Sequence, residues 1–254
     1  MDGLIIERIG SVLRVTLDQP PVNALSRGLI EALSRAVDTM AADSTISALH
    51  IRNAGRAFCA GANLDEMRVG FSGPEGAKAQ IAFVRRLQEV FQRIEDLNAV
   101  SVAEIGGHAL GGGLELALAC DLRIGANEAR MGLPEVNLGL VPGAGGTQRL
   151  TRLCGAALAK RLILGAEVLT GAAAADLGIL HWAVPGAELA ATARTLVDRL
   201  AALPVAALAG AKACIAAATV PGNDGFEKEL TVTRALMDDA ETCRRVGEFL
   251  ARGR

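Results

Sequence analysis

Tyrosine is missing from this chain, tryptophan occurs once, and aromatics make up 3% of its 254 residues. That argues against a site that stacks bases or sugar rings on aromatic faces. An excess of one charge is also lacking. Lys and Arg number 26 against 28 Asp and Glu, a formal net charge of −2. A nucleic-acid binder needs a basic face to meet phosphates, so none is expected. No apolar run is long enough to predict a membrane span. The opening segment carries Asp2 and Glu7 and lacks a basic stretch ahead of an apolar core, so it does not read as a secretory leader. Cys59, Cys120, Cys154, Cys214 and Cys243 are odd in number and never two residues apart. They read as reduced thiols of a cytoplasmic protein, with no zinc site. His50, His108 and His181 show no ligand spacing, and His50, in an apolar strand, reads as structural. Walker-type phosphate loops, dinucleotide fingerprints, zinc-protease helices and serine-hydrolase elbows are all lacking.

What is present is an alternation of β-like and helical segments. Leu4–Ile9 and Val12–Leu17 flank Gly10-Ser11 as a hairpin would. Ser26 caps a predicted helix over 27–42, with Leu29, Ile30, Leu33, Val37 and Met40 at helical spacing. Residues 47–52 read as a buried strand, and the Gly-rich, charged stretch 66–80 as a mobile loop. A helix is predicted over 76–96, with Ile81, Val84, Leu87, Val90, Phe91 and Ile94 on one stripe. Val100–Ile105 is a predicted strand, 114–120 a helix, and 121–124 resumes β character. The pattern predicts an α/β core over residues 1–186. From 187 onward Ala- and Leu-rich helices dominate, broken at Leu203-Pro204 and at Val220-Pro221-Gly222-Asn223. Residues 187–254 therefore read as a helical subdomain, its alanines suiting either an oligomer interface or plain helix propensity.

Two turns and two acids stand out. Ala57–Leu64 is a small-residue turn after a predicted strand, and Gly111-Gly112-Gly113 opens a predicted helix. Small residues let a ligand approach the backbone, and uncovered N–H groups can hold an oxygen anion. Either turn alone could serve only close packing. Glu115 lies in the first turn of an otherwise apolar helix, and Glu135 is a lone acid in Met131–Leu140. A carboxylate in such surroundings is costly to bury without a partner. A third glycine-rich turn, Val141–Gly146, follows and leads into a helix. Each acid singly reads as structural, but two acids beside such turns favour a site.

At these residues the chain resembles the crotonase superfamily, specifically the enoyl-CoA hydratase/isomerase family. The matching pieces run in family order: Leu17–Leu25, Ala57–Asn63, Gly111–Glu115 with Cys120-Asp121, Pro134-Glu135 and Pro142–Leu150. The resemblance implies a spiral of ββα units over the core, then a helical C-terminal trimerisation subdomain, with homotrimers or homohexamers built as dimers of trimers. It implies an acyl-CoA thioester substrate of the kind met in fatty-acid β-oxidation, and no cofactor beyond the coenzyme A of that substrate. By position, the N–H groups of Ala62 and Gly112 form the oxyanion hole. Glu115 and Glu135 match the two catalytic glutamates of the hydratases, and Gly143 a backbone position that holds the reacting water. Ala24, Ala60, Gly61, Asn63, Leu64 and Arg252 fall at substrate- and CoA-binding positions.

The chain departs from the family at Asn63, where Asp is common, and at Asp65 and the Pro20–Ala24 turn, where basic residues are common. Arg27, Arg56 and Arg68 are candidates to compensate. Met67, Phe71, Phe83, Val84 and Leu87 are candidates for an acyl pocket, the last three fitting helix-core packing better. The reaction implied is hydration of a 2-trans-enoyl-CoA, with Glu115 taking a proton from water and Glu135 giving one to C2. A double-bond isomerase and a non-catalytic acyl-CoA-binding subunit are the alternatives.

Overall fold

The computed structural model describes residues 3–219 and 222–252. Val220 and Pro221, read above as part of a helix break, lie outside the described residues. The chain enters through β1 (Leu4–Ile9) and β2 (Val12–Leu17), paired antiparallel as the hairpin reading expects. Helix α1 (Arg27–Ala42) starts where Ser26 Oγ accepts the Leu29 N–H, and it buries Leu29, Ile30, Leu33, Val37 and Met40. That capping bond satisfies one of the N–H groups a helix start leaves open.

A repeated unit then appears: a strand in a large sheet, a three-residue strand in a small sheet, and a helix. The first is β3 (Ala48–Asn53), β4 (Ala57–Cys59), then α2 (Leu64–Gly70) and α3 (Pro74–Glu95). The second is β5 (Val100–Ile105), β6 (His108–Leu110) and α4 (Gly112–Leu118). The third is β7 (Leu122–Ala126), β8 (Arg130–Gly132), a 3-10 turn at Glu135–Leu138, and α5 (Gly146–Leu164). After β9 (Val168–Thr170) and α6 (Gly171–Asp176), β10 (Trp182–Val184) completes the large sheet. The two sheets run β1-β2-β3-β5-β7-β10 and β4-β6-β8-β9. Only β1 with β2 and β8 with β9 pair antiparallel. This is the spiral of ββα units that the resemblance implies. β5 is buried along its whole length, as expected of a parallel strand covered on both faces.

The large sheet holds its own polar pair. His50 Nε2 lies 2.8 Å from Glu104 Oε2 across neighbouring strands, both side chains buried. His50 is therefore structural, as its apolar strand suggests. Residues 66–80 are not a continuous loop. Asn63 Oδ1 accepts the N–H groups of Asp65 and Glu66, which starts α2, and Pro74 occupies the first turn of α3. Capping and a Pro-initiated first turn outweigh the glycine content.

Helix α7 (Gly186–Ala201) buries Leu189, Ala193, Leu196, Val197 and Leu200 against the large sheet, so the region from 187 begins as part of the core. At Leu203-Pro204 the chain turns by 99° into α8 (Val205–Ala217). Lys212 Nζ anchors α8 to the sheet through Asp121 Oδ2 at 2.8 Å and the Ala99 carbonyl at 3.0 Å. α9 (Gly225–Met237) and α10 (Ala240–Arg252) extend outward with no buried residue. No single described helix is long and apolar enough to cross a membrane.

Close backbone contact locks α4 onto the small sheet. A Cβ added to Gly113 would collide with the Cys59 carbonyl of β4. Gly113→Ala is expected to cost about 3 kcal/mol or more by overpacking, measured as a lower urea midpoint at unchanged slope.

Candidate active site

The parallel strands β4, β6 and β8 end side by side, and a turn follows each. Ligand sites in parallel sheets gather at such carboxyl ends. The first turn is fixed from outside by residues 19–25. Asn23 is buried, with Oδ1 accepting from the Gln19 N–H and Nδ2 donating to the carbonyls of Ala54 and Ala57. Leu25 then bridges the turn, its N–H donating to the Gly61 carbonyl at 2.7 Å and its carbonyl accepting from the Asn63 N–H at 3.1 Å. Such a parallel bridge uses the groups on either side of Ala62 and turns Ala62's own N–H away from Leu25. Gly61 has φ +95°, a region that glycine adopts at little cost, and a Cβ there would press on the Leu110 carbonyl at 3.1 Å.

The second turn follows β6. The Gly111 N–H donates to the Gly132 carbonyl, while Gly112 is the first residue of α4 and its N–H has no partner within the helix. A Cβ on Gly61 would lie 3.7 Å from the Gly112 nitrogen. The amide of Gly112 and the Gly61-Ala62 turn are therefore neighbours.

The two glutamates frame this pair. Glu115 is 3% exposed, and its Oε1 accepts the Gly146 N–H at 2.7 Å. Burial pushes its carboxyl up to about 7, the Gly146 amide opposes the shift, and the Glu135 charge adds to it. Glu135 opens the 3-10 turn after β8. Its Oε1 lies 2.9 Å from where a Cβ on Gly111 would sit, and Glu115 Oε2 lies 3.9 Å from the matching point on Gly112. The two carboxyl groups thus stand over adjacent glycines. Glu135 Oε2 is buried with no hydrogen-bond partner among the described residues, and burial raises its pKa too. An unpaired buried oxygen costs free energy unless a ligand completes it.

The third turn, around Gly143, carries the amide that holds Glu115. Gln88 of α3 donates to the Gly143 carbonyl at 2.7 Å. Val84 lies against Gly143, with Cγ1 3.1 Å from where a Cβ would be, whereas Phe83 and Leu87 are buried in the core. Val84 therefore borders the third turn, although its spacing suggested helix packing. The structure gathers Gly61, Gly112, Glu115 and Glu135 around one spot, with Ala60 and Ala62 flanking Gly61 and with Gly143 on the turn whose Gly146 amide holds Glu115. Ala24 precedes the Leu25 bridge, and its carbonyl accepts from Gln19 Nε2. The Asn63 side chain is committed to capping α2, and Leu64 is exposed beside it. Arg252 sits exposed in the last turn of α10. Arg27 packs over Phe83 and faces Glu66. Sequence reasoning did not single out Asn23, Gln88 or Arg149. An amide beside a Pro-Pro turn was the one available signal, for Asn23.

Comparison with known proteins shows what the chain as a whole is similar to. The profile of the family described as "Enoyl-CoA hydratase/isomerase" matches residues 7–252. A probable enoyl-CoA hydratase of Bacillus subtilis (strain 168) is 40% identical over 200 residues, 78% of this chain and 75% of that protein. A short-chain-enoyl-CoA hydratase of Clostridium acetobutylicum is 37% identical over 202 residues, 79% of this chain and 76% of its own. The crystal structure of an enoyl-CoA hydratase from Bacillus anthracis superposes with a TM-score of 0.91 at 29% identity, covering 98% of this chain and 96% of the other.

The raised pKa of Glu115 has a consequence for stability. Below about pH 4.5 the carboxyl is protonated whether the chain is folded or not, and folding bears no penalty. As pH rises through about 7, the unfolded chain ionises first and stability falls. Glu115→Gln escapes that loss. Urea unfolding should find it more stable than wild type by about 3 kcal/mol at pH 8, with the gap closing toward pH 5.

Proposed function

The chain belongs to the enoyl-CoA hydratase/isomerase family, and on that premise we propose that it hydrates 2-trans-enoyl-CoA thioesters reversibly. One observation carries the reading. Buried Glu115 and half-buried Glu135 stand over Gly112 and Gly111, beside amides of Ala62 and Gly112 that have no partner among the described residues, and the buried Oε2 of Glu135 awaits one.

The thioester oxygen accepts from the N–H groups of Ala62 and Gly112. As water adds at C3, the C2=C3 electrons move onto that oxygen, and the two amides stabilise the enolate. Removing one such donor typically costs roughly 10²–10³ in rate. Glu115 takes the proton that the attacking water releases, with the Gly146 amide favouring its ionised form. Glu135, whose carboxyl burial pushes upward, delivers a proton to C2 as the enolate collapses. Gly143 lies on the turn that faces the incoming water, and the step calls on no cofactor beyond coenzyme A. Water's hydroxyl ends on C3 and a proton on C2. Proton exchange between the two carboxyl groups and solvent then restores the starting state. The reactive form has Glu115 ionised and Glu135 protonated, within a coupled pair that titrates jointly.

Ala24, Ala60, Gly61, Asn63, Leu64 and Arg252 are proposed to border the substrate, and residues 187–254 to supply an oligomer interface. Exposed Ile215 (70%), Phe226 (82%) and Phe249 (76%) on α8 to α10 support a homotrimer or a dimer of trimers. Light scattering should give a mass of three or six subunits. The four free cysteines outside position 243, buried or half-buried, fit a cytoplasmic setting.

The decisive measurement mixes purified protein with 2-enoyl-CoA and 3-enoyl-CoA thioesters of varied length. Hydration is expected to consume the conjugated chromophore and add one water by mass. Glu115→Gln and Glu135→Gln should each lower kcat by about 10²–10⁴. Interconversion of 3-enoyl and 2-enoyl forms without added water, surviving Glu115→Gln, would make it an isomerase. Binding without turnover would leave only an acyl-CoA-binding subunit.

A further inference from the structure

Gly146 must keep its N–H on Glu115 Oε1, yet its turn, Pro142-Gly143-Ala144-Gly145-Gly146, is built mostly of glycine. Glycine-rich backbone has the most conformational freedom to lose, so this turn cannot hold its shape unaided. The fold supplies an external brace. Arg149, one turn into α5, donates Nη1 to the Ala144 carbonyl at 3.1 Å. The same guanidinium donates Nε to Glu95 Oε2 at 2.8 Å and Nη2 to Gln92 Oε1 at 3.4 Å. Gln88 of the same helix holds the Gly143 carbonyl. Gln88, Gln92 and Glu95 are spaced four and three apart, which places them on one face of α3. The opening of α5 adapts to this arrangement, since a Cβ at Gly145 (φ +106°) would collide with the guanidinium.

Arg149 is 7% exposed, and an ion pair so buried adds little stability over a well-packed apolar residue. Its charge bears on Glu115 instead. The charged side chains that act on that carboxyl are Glu135, which opposes ionisation, and Arg149, which favours it. Arg149 is thus the cation set against the second acid.

We propose that Arg149 is a positioning residue for Glu115. It fixes the 143–146 turn to α3 so that the Gly146 amide stays on Oε1, and its charge favours the form of Glu115 that takes a proton from water. This rests on the reading of Glu115 as the base.

The test follows the Glu115 carboxyl by carbon-detected NMR titration and, in parallel, kcat and KM against pH, in wild type, Arg149→Met, Arg149→Lys and Gln88→Ala. Circular dichroism checks folding. In Arg149→Met the Glu115 titration should rise by about one pH unit, the scale of losing a nearby opposite charge. The acidic limb of kcat should move up with it, kcat at pH 7 should fall about tenfold, and KM should stay within about twofold. Arg149→Lys should keep the titration near wild type and still lose several-fold in kcat, because an ammonium cannot make the forked contact. Gln88→Ala, which removes no charge, should lower kcat without moving the limb.

A folded Arg149→Met with unchanged titration and unchanged limb would overturn the proposal. So would a fully active Arg149→Lys together with a fully active Gln88→Ala, and those two variants decide the matter if Arg149→Met does not fold. Glu115→Gln separates the two readings. If it still hydrates, the assignment of Glu115 as base fails. If it is inactive while the Arg149 variants behave as wild type, only the positioning role fails. Should wild type show no hydration, the carboxyl titration still judges the effect of Arg149.

Discussion

Everything at this site depends on backbones meeting more closely than side chains would allow. The β4 strand and the segment from β6 into α4 touch through Gly107 against Arg56 and Gly113 against Cys59, where a Cβ would strike a carbonyl oxygen. With those contacts made, Gly61 can reach Leu110, and the amides of Ala62 and Gly112 come to one place. The proposed oxyanion site is a by-product of packing two main chains without intervening carbon. Its donors are backbone groups, one fixed by the Leu25 bridge and one at the start of α4, so they need no reorganisation when charge develops on a ligand oxygen.

The acids obey a second constraint. Burial favours the neutral form of both, and Glu115, the more buried, also feels the charge of Glu135. The surroundings differ in one respect: Glu115 has an amide donor and a nearby guanidinium, whereas one oxygen of Glu135 has nothing. That asymmetry is the basis on which Glu115 is proposed as base and Glu135 as acid.

Much of this was legible in the sequence. The hairpin and α1 fall where the sequence pattern put them, because burial dictates one face of β2 and of α1, and β5 falls where a short apolar run put it, because both its faces are covered. The triple glycine and the two lone glutamates stood out in the sequence, since both features are costly without a use, and the fold brings them together. Other features depend on tertiary contacts between distant segments. Which amide of the 60–63 turn stays free is decided by Leu25, far earlier in the chain. Arg149 looks like an ordinary helix-surface cation until α3 covers it. Val84 belongs to an apolar helical stripe, and only the fold turns it toward Gly143. Helix α2 went unread because Gly70, Gly73 and Gly76 mask the Asn63 cap.

The two sheets differ sharply in load. The six-stranded sheet carries the His50–Glu104 pair and is the layer on which α7 buries its apolar face, while the proposed site follows three-residue strands of the smaller sheet. Damage and innovation are thereby kept apart. A substitution just beyond β4, β6 or β8 can retool chemistry while the chassis stays intact, so such a scaffold can try new reactions without first risking collapse.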